Sequence, residues 1–237
     1  MALYLGGRHR TQLTGLFNCR VPRDRLPVIA VGIRIVGRSS SHFTRIARLF
    51  AHELGVPHEF EPVLDLTSRT ASDYAGNPSL RLPVLVTETG PWFGALNVAR
   101  ELARRAPNAG GIVWPEDLVD RLSANAQEIV LQSMAAEVVL VMRSMAEPAA
   151  SGAYDDKLRV GLLNGVAWLE EHFLDALDAL PRPRAHSFLE VSAFCFLAHL
   201  DFRQVLDTHA NPRLRSFCAE FGERAAARAT TYCYDGA

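Results

Sequence analysis

Hydrophobic and polar positions in the first part of the chain follow two different periods. Residues 28–36 form a short, β-branched apolar run, which predicts a strand. Apolar residues then recur at helical spacing over residues 43–54, and Gly55 ends the pattern, so this segment is predicted to be a helix. A second strand is predicted over residues 58–64, at a sheet edge because Pro62 has no backbone N–H to donate to a neighbouring strand.

The pattern over residues 82–105 predicts two more strands and a second helix. The strands cover residues 82–86 and 91–93, with a turn at 88–90 between them, and the helix covers residues 94–105. The order strand, helix, strand, followed by strand, strand, helix, predicts a small sheet with helices on its faces.

Beyond a linker at residues 107–111, which contains proline and glycine, the chain shows helical periodicity only. Four helices are predicted there, over residues 116–145, 157–180, 187–205 and 212–227. The third of these begins with Ser187 and Glu190 at the spacing of a capping box. Residues 1–27 have no clear period and are treated as an extension of unknown role.

Composition and charge narrow the class of protein. Hydrophobic residues make up 49% of the 237 residues, which is ordinary for a globular protein with a buried core. The 25 basic and 26 acidic residues give a net charge of -1, so nothing indicates nucleic acid or an anionic membrane as a partner. The longest apolar run near the start is too short to span a bilayer, and no signal peptide is indicated. We therefore expect a soluble, cytoplasmic protein.

Two short motifs are similar to known binding sites but lack a necessary residue. Residues 32–39 are similar to a phosphate-binding loop, yet Arg38 stands where that loop needs lysine, and the interior favours a strand. His52 and Glu53 begin a zinc-protease pattern, but Val56 stands where the second histidine belongs. Nucleotide binding is therefore a weak hypothesis, and no metal is expected.

A cluster of three serines, residues 39–41, lies between the first predicted strand and the first predicted helix. Ser41 has two interpretations. It can cap the helix, which is a common role for serine, or its hydroxyl can take part in chemistry. The residues of this turn, taken alone, leave both interpretations open.

An ordered set of segments resembles the glutathione transferase family. Residues 41–48, followed by 53–57, are similar to its active-site turn and first helix, and Asn77-Pro78 with residues 82–88 is similar to its cis-proline segment. In the second half of the chain the similar segments are the box at 187–190 and residues 196–203, 211–214 and 217–228. The resemblance covers the chain from about residue 28 to residue 237.

The resemblance implies an α/β plus all-α fold. A thioredoxin-like N-terminal domain would cover residues 28–107, and an all-helical bundle would cover residues 108–237. It also implies a homodimer, glutathione as co-substrate and a small hydrophobic electrophile as second substrate. In serine-type members the turn serine donates a hydrogen bond to the sulfur of glutathione and favours the thiolate, and Ser41 is the matching residue.

The site residues that the resemblance implies fall into two groups. Those expected to bind glutathione are Ser41, Phe43, Arg81, Leu82, Pro83, Gly94 and Ala95, with Ser41 also as the catalytic residue. Leu82 would pair its backbone with the cysteinyl part of glutathione, and its bond to Pro83 is predicted to be cis. The second-substrate cleft is assigned to Met142 and Arg143 on the first long helix.

The Gly94-Ala95 pair departs from the family pattern. Members usually carry an acidic residue or Gln followed by Ser there, and these side chains hold the γ-glutamyl group. Each missing charge-assisted hydrogen bond is worth roughly 1.5–3 kcal/mol, so weak glutathione binding is expected unless Arg81 or a partner subunit compensates. Two hypotheses follow: an enzyme that transfers glutathione to a small hydrophobic electrophile, and a non-catalytic binding or regulatory protein that kept the fold and lost glutathione.

Overall fold

The computed structural model describes residues 32–146, 152–206 and 208–236. These residues form two compact units, one built from residues 32–109 with 224–236 and the other from residues 110–223. The segment 224–236 therefore belongs to the first unit. The domain boundary at residue 107 stays a prediction, and the extension over residues 1–27 lies outside the described residues.

The first unit contains a four-stranded sheet. Its strands are β1 (Arg34–Gly37), β2 (Glu59–Pro62), β3 (Val84–Thr87) and β4 (Gly90–Phe93). Their spatial order is β2-β1-β3-β4, with β1 parallel to β2 and antiparallel to β3, and β3 antiparallel to β4. The prediction that the strand containing Pro62 lies at an edge is confirmed. Residues 28–31 of the first predicted strand lie outside the described residues.

Two helices pack against this sheet and against each other. They are α1 (His42–Glu53) and α2 (Ala95–Arg105), close to the predicted bounds, and a short 3-10 turn at Ala71–Tyr74 precedes β3. Apolar residues at helical spacing on α1 and α2 meet apolar residues of the two central strands. The most buried members of this core are Ile35, Ile46, Leu49, Phe50, Leu85, Val98 and Leu102.

The second unit is mainly helical. Its helices are α3 (Arg121–Ala146), α4 (Ala153–Asp178), α5 (Phe188–Arg203) and α6 (Pro212–Gly222). The predicted cap of α5 is confirmed, because Oγ of Ser187 accepts a hydrogen bond of 3.0 Å from the backbone N–H of Glu190. The predicted fold class, a thioredoxin-like α/β unit plus a helical unit, is confirmed.

Three details of the second half differ from the sequence-based expectation. A two-stranded parallel ladder joins β5 (Ile112–Val113) to β6 (His186–Ser187), although only helices were predicted there. A 3-10 turn occupies Pro115–Asp117, so α3 begins later than expected. The last predicted helix is two helices, α6 and α7 (Ala225–Ala229).

Helices α3 and α4 approach each other closely at Gly165. A Cβ atom at that position would lie 2.8 Å from Oγ of Ser133 on α3, and Ser133 is itself buried. The sequence needs glycine here because any larger residue would push the two helices apart. A buried hydrogen bond of 2.7 Å between Nδ1 of His199 and Oε1 of Glu137 also joins α5 to α3.

Among the described helices, α3 alone is long and apolar enough to cross a membrane by length and composition. The core helix of a soluble protein meets the same criteria, so this is weak evidence for a membrane span.

Candidate active site

The strand register brings three loops to one end of the sheet. Val84, at the start of β3, pairs with Val36 near the end of β1 and with Phe93 at the end of β4. The serine turn after β1, the proline loop before β3 and the first residues of α2 after β4 therefore lie at the same end. This end contains all the glutathione-binding residues proposed for the first unit.

The serine turn is a tight connection between β1 and α1. The N–H of Ser41 donates to the carbonyl of Arg38 over 3.1 Å, and the N–H of Arg38 donates to Oγ1 of Thr44 over 3.2 Å. Gly37 begins the turn, and a Cβ atom there would lie only 2.3 Å from Cγ2 of Thr44. Thr44, at the start of α1, therefore packs against the serine turn, and the absence of a side chain at Gly37 leaves room for it.

Ser41 is the N-cap residue of α1. Its backbone is extended, with φ −106° and ψ 127°, and its Oγ accepts a hydrogen bond of 3.3 Å from the backbone N–H of Thr44. The capping interpretation is therefore correct for this residue. It does not remove the chemical interpretation, because a serine hydroxyl that accepts through one lone pair still has its hydrogen to donate.

The other two serines of the turn are less accessible than Ser41. Ser39 is 4% exposed and Ser40 is 3% exposed, whereas Ser41 is half-buried. Oγ of Ser39 accepts a hydrogen bond of 3.4 Å from Arg48. Of the three hydroxyls, the one at position 41 is therefore the best placed to meet a bound molecule.

The proline loop is held by a buried asparagine. The Leu82–Pro83 bond is cis, as predicted. Nδ2 of Asn77 donates to the carbonyl of Arg81 over 2.7 Å, and Oδ1 of Asn77 accepts from the N–H of Ser79 over 3.0 Å. These two bonds close the loop on itself and fix the backbone that leads into Leu82.

The start of α2 lies directly beside Pro83. The N–H of Gly94 donates to the carbonyl of Pro83 over 3.1 Å, and no side chain caps the helix. Gly94 has φ 84° and ψ 149°, a conformation that glycine adopts freely and that is strained for residues with a side chain. Ala95 is buried and contributes no polar atom from its side chain.

The remaining predicted residues are spread over both units. Arg81 is exposed on the proline loop, and Phe43 is half-buried on α1, with its ring 4.6 Å from the ring of His42. Met142 and Arg143 are exposed in the last part of α3, in the second unit. Arg143 forms an ion pair of 2.6 Å with Asp155, whose carboxylate is buried.

A histidine beyond the C-terminal end of α1 has a shifted pKa. Burial lowers the pKa of His58, a hydrogen bond of 3.0 Å between its Nδ1 and the carbonyl of Val56 raises it, and the charge of Arg48 lowers it. The net shift is downward, which favours the neutral imidazole. His58 follows α1 and does not belong to the serine turn.

Sequence reasoning missed one partner of the turn. Oδ2 of Asp235 accepts a hydrogen bond of 2.8 Å from the backbone N–H of Ser39. The two residues are 196 positions apart, so no local pattern connects them. Only the fold, which returns residues 224–236 to the first unit, brings this carboxylate to the serines.

Comparison with known proteins gives a family match in the first unit. A family model described as the N-terminal domain of glutathione S-transferase matches residues 40–105, which contain the serine turn, the proline loop and α2. No curated protein matches the sequence significantly.

Solved structures with the same fold are numerous. A glutathione S-transferase of Methylobacillus flagellatus with glutathione bound has a TM-score of 0.67 at 19% identity, covering 85% of this chain and 100% of that chain. A family member from Pseudomonas fluorescens, also with bound glutathione, has a TM-score of 0.68 at 18% identity, covering 85% and 99%. A glutathione S-transferase of Methylobacterium radiotolerans, in complex with glutathione sulfonate, has a TM-score of 0.66 at 18% identity, covering 86% and 97%.

At these identities the structures show a shared fold, and the family model matches residues 40–105 within that fold. The match over residues 40–105 and the observed order of sheet, cis-proline loop and helices agree. Residues 40–105 therefore match the N-terminal domain of glutathione S-transferase, and the chain has the fold of the solved glutathione S-transferases.

Proposed function

We propose that this protein is a glutathione transferase in which the hydroxyl of Ser41 donates a hydrogen bond to the sulfur of glutathione. The thiol of glutathione loses its proton to solvent, and the thiolate forms a bond to an electrophilic carbon of a small hydrophobic substrate. In a substitution the leaving group departs with its bonding electrons, and in an addition the electrons of the attacked double bond move away from that carbon.

The position of Ser41 is the observation that carries this proposal. It is the least buried of the three serines, it caps α1, and the register places it at the same end of the sheet as the proline loop and the start of α2. The structures of family members with bound glutathione share this fold.

The surroundings of Ser41 favour a thiolate over a thiol. A free thiol has a pKa of about 8.5, and a hydrogen-bond donor together with a helix N-terminus lowers that value. The N–H of Thr44 donates to Oγ of Ser41, which polarises the hydroxyl and strengthens its own donation. The first turn of α1 contains no acidic residue that would oppose a negative sulfur.

The peptide part of glutathione would be held by backbone groups. In the proposal, Leu82 pairs its main chain with the cysteinyl unit, and the exposed Arg81 is available to a carboxylate. The γ-glutamyl carboxylate would meet the first N–H groups of α2, because a helix N-terminus attracts anions even without a polar side chain. Met142 and Arg143 as the second-substrate cleft, the homodimer and the cytoplasmic location stay predictions, and no metal is required.

The second candidate is a binding or regulatory protein with this fold that no longer uses glutathione. Gly94 and Ala95 favour it, since neither supplies a side-chain hydrogen bond to the γ-glutamyl group. The transferase is preferred because the serine at the N-cap of α1 and the proline loop closed by Asn77 are both present.

Calorimetric titration with glutathione, combined with turnover of a generic electrophile, separates the two candidates. Ser41→Gly is the informative variant, since glycine at an N-cap costs only a few tenths of a kcal/mol but has no hydroxyl. Ser41→Thr is its matched control, because threonine both caps and donates. The transferase predicts glutathione binding in all three proteins, with turnover in the wild type that is retained in Ser41→Thr and lost in Ser41→Gly. Absence of glutathione binding in folded wild-type protein would favour the second candidate.

A further inference from the structure

Residues 224–236, named the strap here, run along α1 in the opposite direction. At the C-terminal end of α1, Nε of Arg224 forms an ion pair of 2.6 Å with Glu53. At the N-terminal end, Asp235 bonds to Ser39 of the serine turn. Contacts of α7 with α1 lie between these points. The strap therefore follows the whole length of the helix that carries Ser41.

The middle of the strap is anchored by a buried arginine. Arg45 of α1 is 6% exposed, and its Nη2 donates to the carbonyl of Ala227 over 3.1 Å. Its guanidinium lies 4.3 Å from the centre of the Tyr232 ring, which is also buried. Thr230 between them is fully buried. These contacts restrict the path of the strap, so the segment that holds Asp235 at the turn is itself packed against α1.

The contact of Asp235 with the turn is a charge-assisted hydrogen bond. Its Oδ2 lies 2.8 Å from the backbone nitrogen of Ser39, which is the second residue of the turn from Arg38 to Ser41. Because Ser39 is 4% exposed, its N–H has little access to water. An acceptor that satisfies a buried N–H in this way restrains the backbone of the turn, since leaving the N–H unpaired is costly.

We propose that Asp235 is a positioning residue for the transferase reaction, acting through the backbone of the serine turn on the direction of the Ser41 hydroxyl. The inference rests on the proposed function. The contacts between the turn and the rest of the unit include those of Thr44, the bond from Arg38 to the carbonyl of Leu64, the Arg48 contact with Ser39 and the carboxylate of Asp235. Loss of the carboxylate would leave Ser41 in place on α1 while the turn before it samples more conformations, and a misdirected donor lowers turnover.

The test compares Asp235→Ala with Asp235→Asn, whose amide oxygen accepts the same hydrogen bond. Thr231→Ala is the matched control, because Thr231 is an exposed residue of the strap whose hydroxyl donates to the carbonyl of Arg228, within the strap itself. The rate of turnover is measured as the concentration of glutathione, and separately that of the electrophile, is varied. We expect kcat to fall roughly ten- to a hundredfold in Asp235→Ala, as loss of one hydrogen bond to a charged group predicts, with KM for the electrophile unchanged. The kcat values of Asp235→Asn and Thr231→Ala should stay within about threefold of the wild-type value.

A second measurement does not depend on activity. Amide hydrogen exchange of residues 38–41 should be faster in Asp235→Ala, unchanged in Asp235→Asn, and unchanged for all variants over the strands at residues 84–93. Equal exchange of the turn in Asp235→Ala and wild type would overturn the inference even if the enzyme proved inactive. A normal kcat in Asp235→Ala, with Ser41→Gly inactive, would overturn the role of Asp235 and leave the proposed function standing.

Discussion

Gly37→Ala is a direct test of how the serine turn is packed. The new Cβ would lie 2.3 Å from Cγ2 and 2.6 Å from Oγ1 of Thr44, which is fully buried and has little room to move. Overpacking of this kind costs about 1–3 kcal/mol. Displacing Thr44 would also weaken its hydrogen bond from the N–H of Arg38, for roughly 1 kcal/mol more. We expect the free energy of unfolding to fall by about 2–4 kcal/mol.

The assay is urea denaturation of the wild type, Gly37→Ala, Thr44→Ala and the double variant. Thr44→Ala removes the methyl and hydroxyl groups that the new Cβ atom at position 37 would meet and leaves only the Cβ of residue 44, at 3.0 Å. The double variant should therefore be more stable than the sum of the two single losses predicts. A coupling of at least about 1 kcal/mol is expected for such neighbours. Additive losses, or a Gly37→Ala variant as stable as the wild type, would refute the described packing of the turn.

Three further predictions concern other sites. Gly94→Asp should lower the free energy of unfolding by about 1–3 kcal/mol, because the φ of 84° at position 94 is strained for a residue with a side chain. Ala95→Ser should change the free energy of unfolding little, and calorimetric or urea unfolding of both variants checks this. Gly165→Ala should destabilise the helical unit by about 1–3 kcal/mol through its contact with Ser133, and the same unfolding assay should show partial recovery when Ser133→Ala is added. The pKa of His58 is lowered in the folded protein, whereas the unfolded chain has an ordinary value near about 6.5 and therefore binds more protons. The contribution of His58 to the free energy of unfolding is complete above that pH and is lost as the pH drops below it. His58→Gln should reduce this acid sensitivity in unfolding measured between about pH 7 and pH 5.

Periodicity predicted the elements of the first unit well. The apolar spacing from Phe43 onward and the glycine at position 55 gave a helix that matches α1 within a residue or two. Pro62 identified an edge strand correctly, because a missing N–H has the same consequence in any sheet. These features are local, and local chemistry determines them.

Features that depend on distant residues were not predictable. The ladder between Ile112 and His186 has only two residues on each side, too few for a period to appear. The contact of Asp235 with Ser39 joins the two ends of the described chain, and nothing in either segment indicates the other. The positive φ of Gly94 was also hidden, since glycine occurs in many conformations and only the structure shows which one it adopts.

The candidate site was predicted in outline through the resemblance to a family. The local pattern indicated that Ser41 follows a strand and begins a helix. The turn alone could not decide whether this serine caps the helix or donates a hydrogen bond to a bound molecule. The structure shows the cap and leaves the hydroxyl hydrogen available, so both roles are compatible. The chemical role stays a proposal that solution measurements must test.

The pKa of the glutathione thiol in the complex tests the central claim most directly. It is measured from the ultraviolet absorbance of the thiolate as the pH is raised, for wild type, Ser41→Gly and Ser41→Thr at saturating glutathione. A donor to the sulfur predicts a pKa about one to two units below the free value of about 8.5 in the wild type and in Ser41→Thr, and a return towards the free value in Ser41→Gly. The same pKa in the wild type and in a folded, glutathione-binding Ser41→Gly variant would contradict the account.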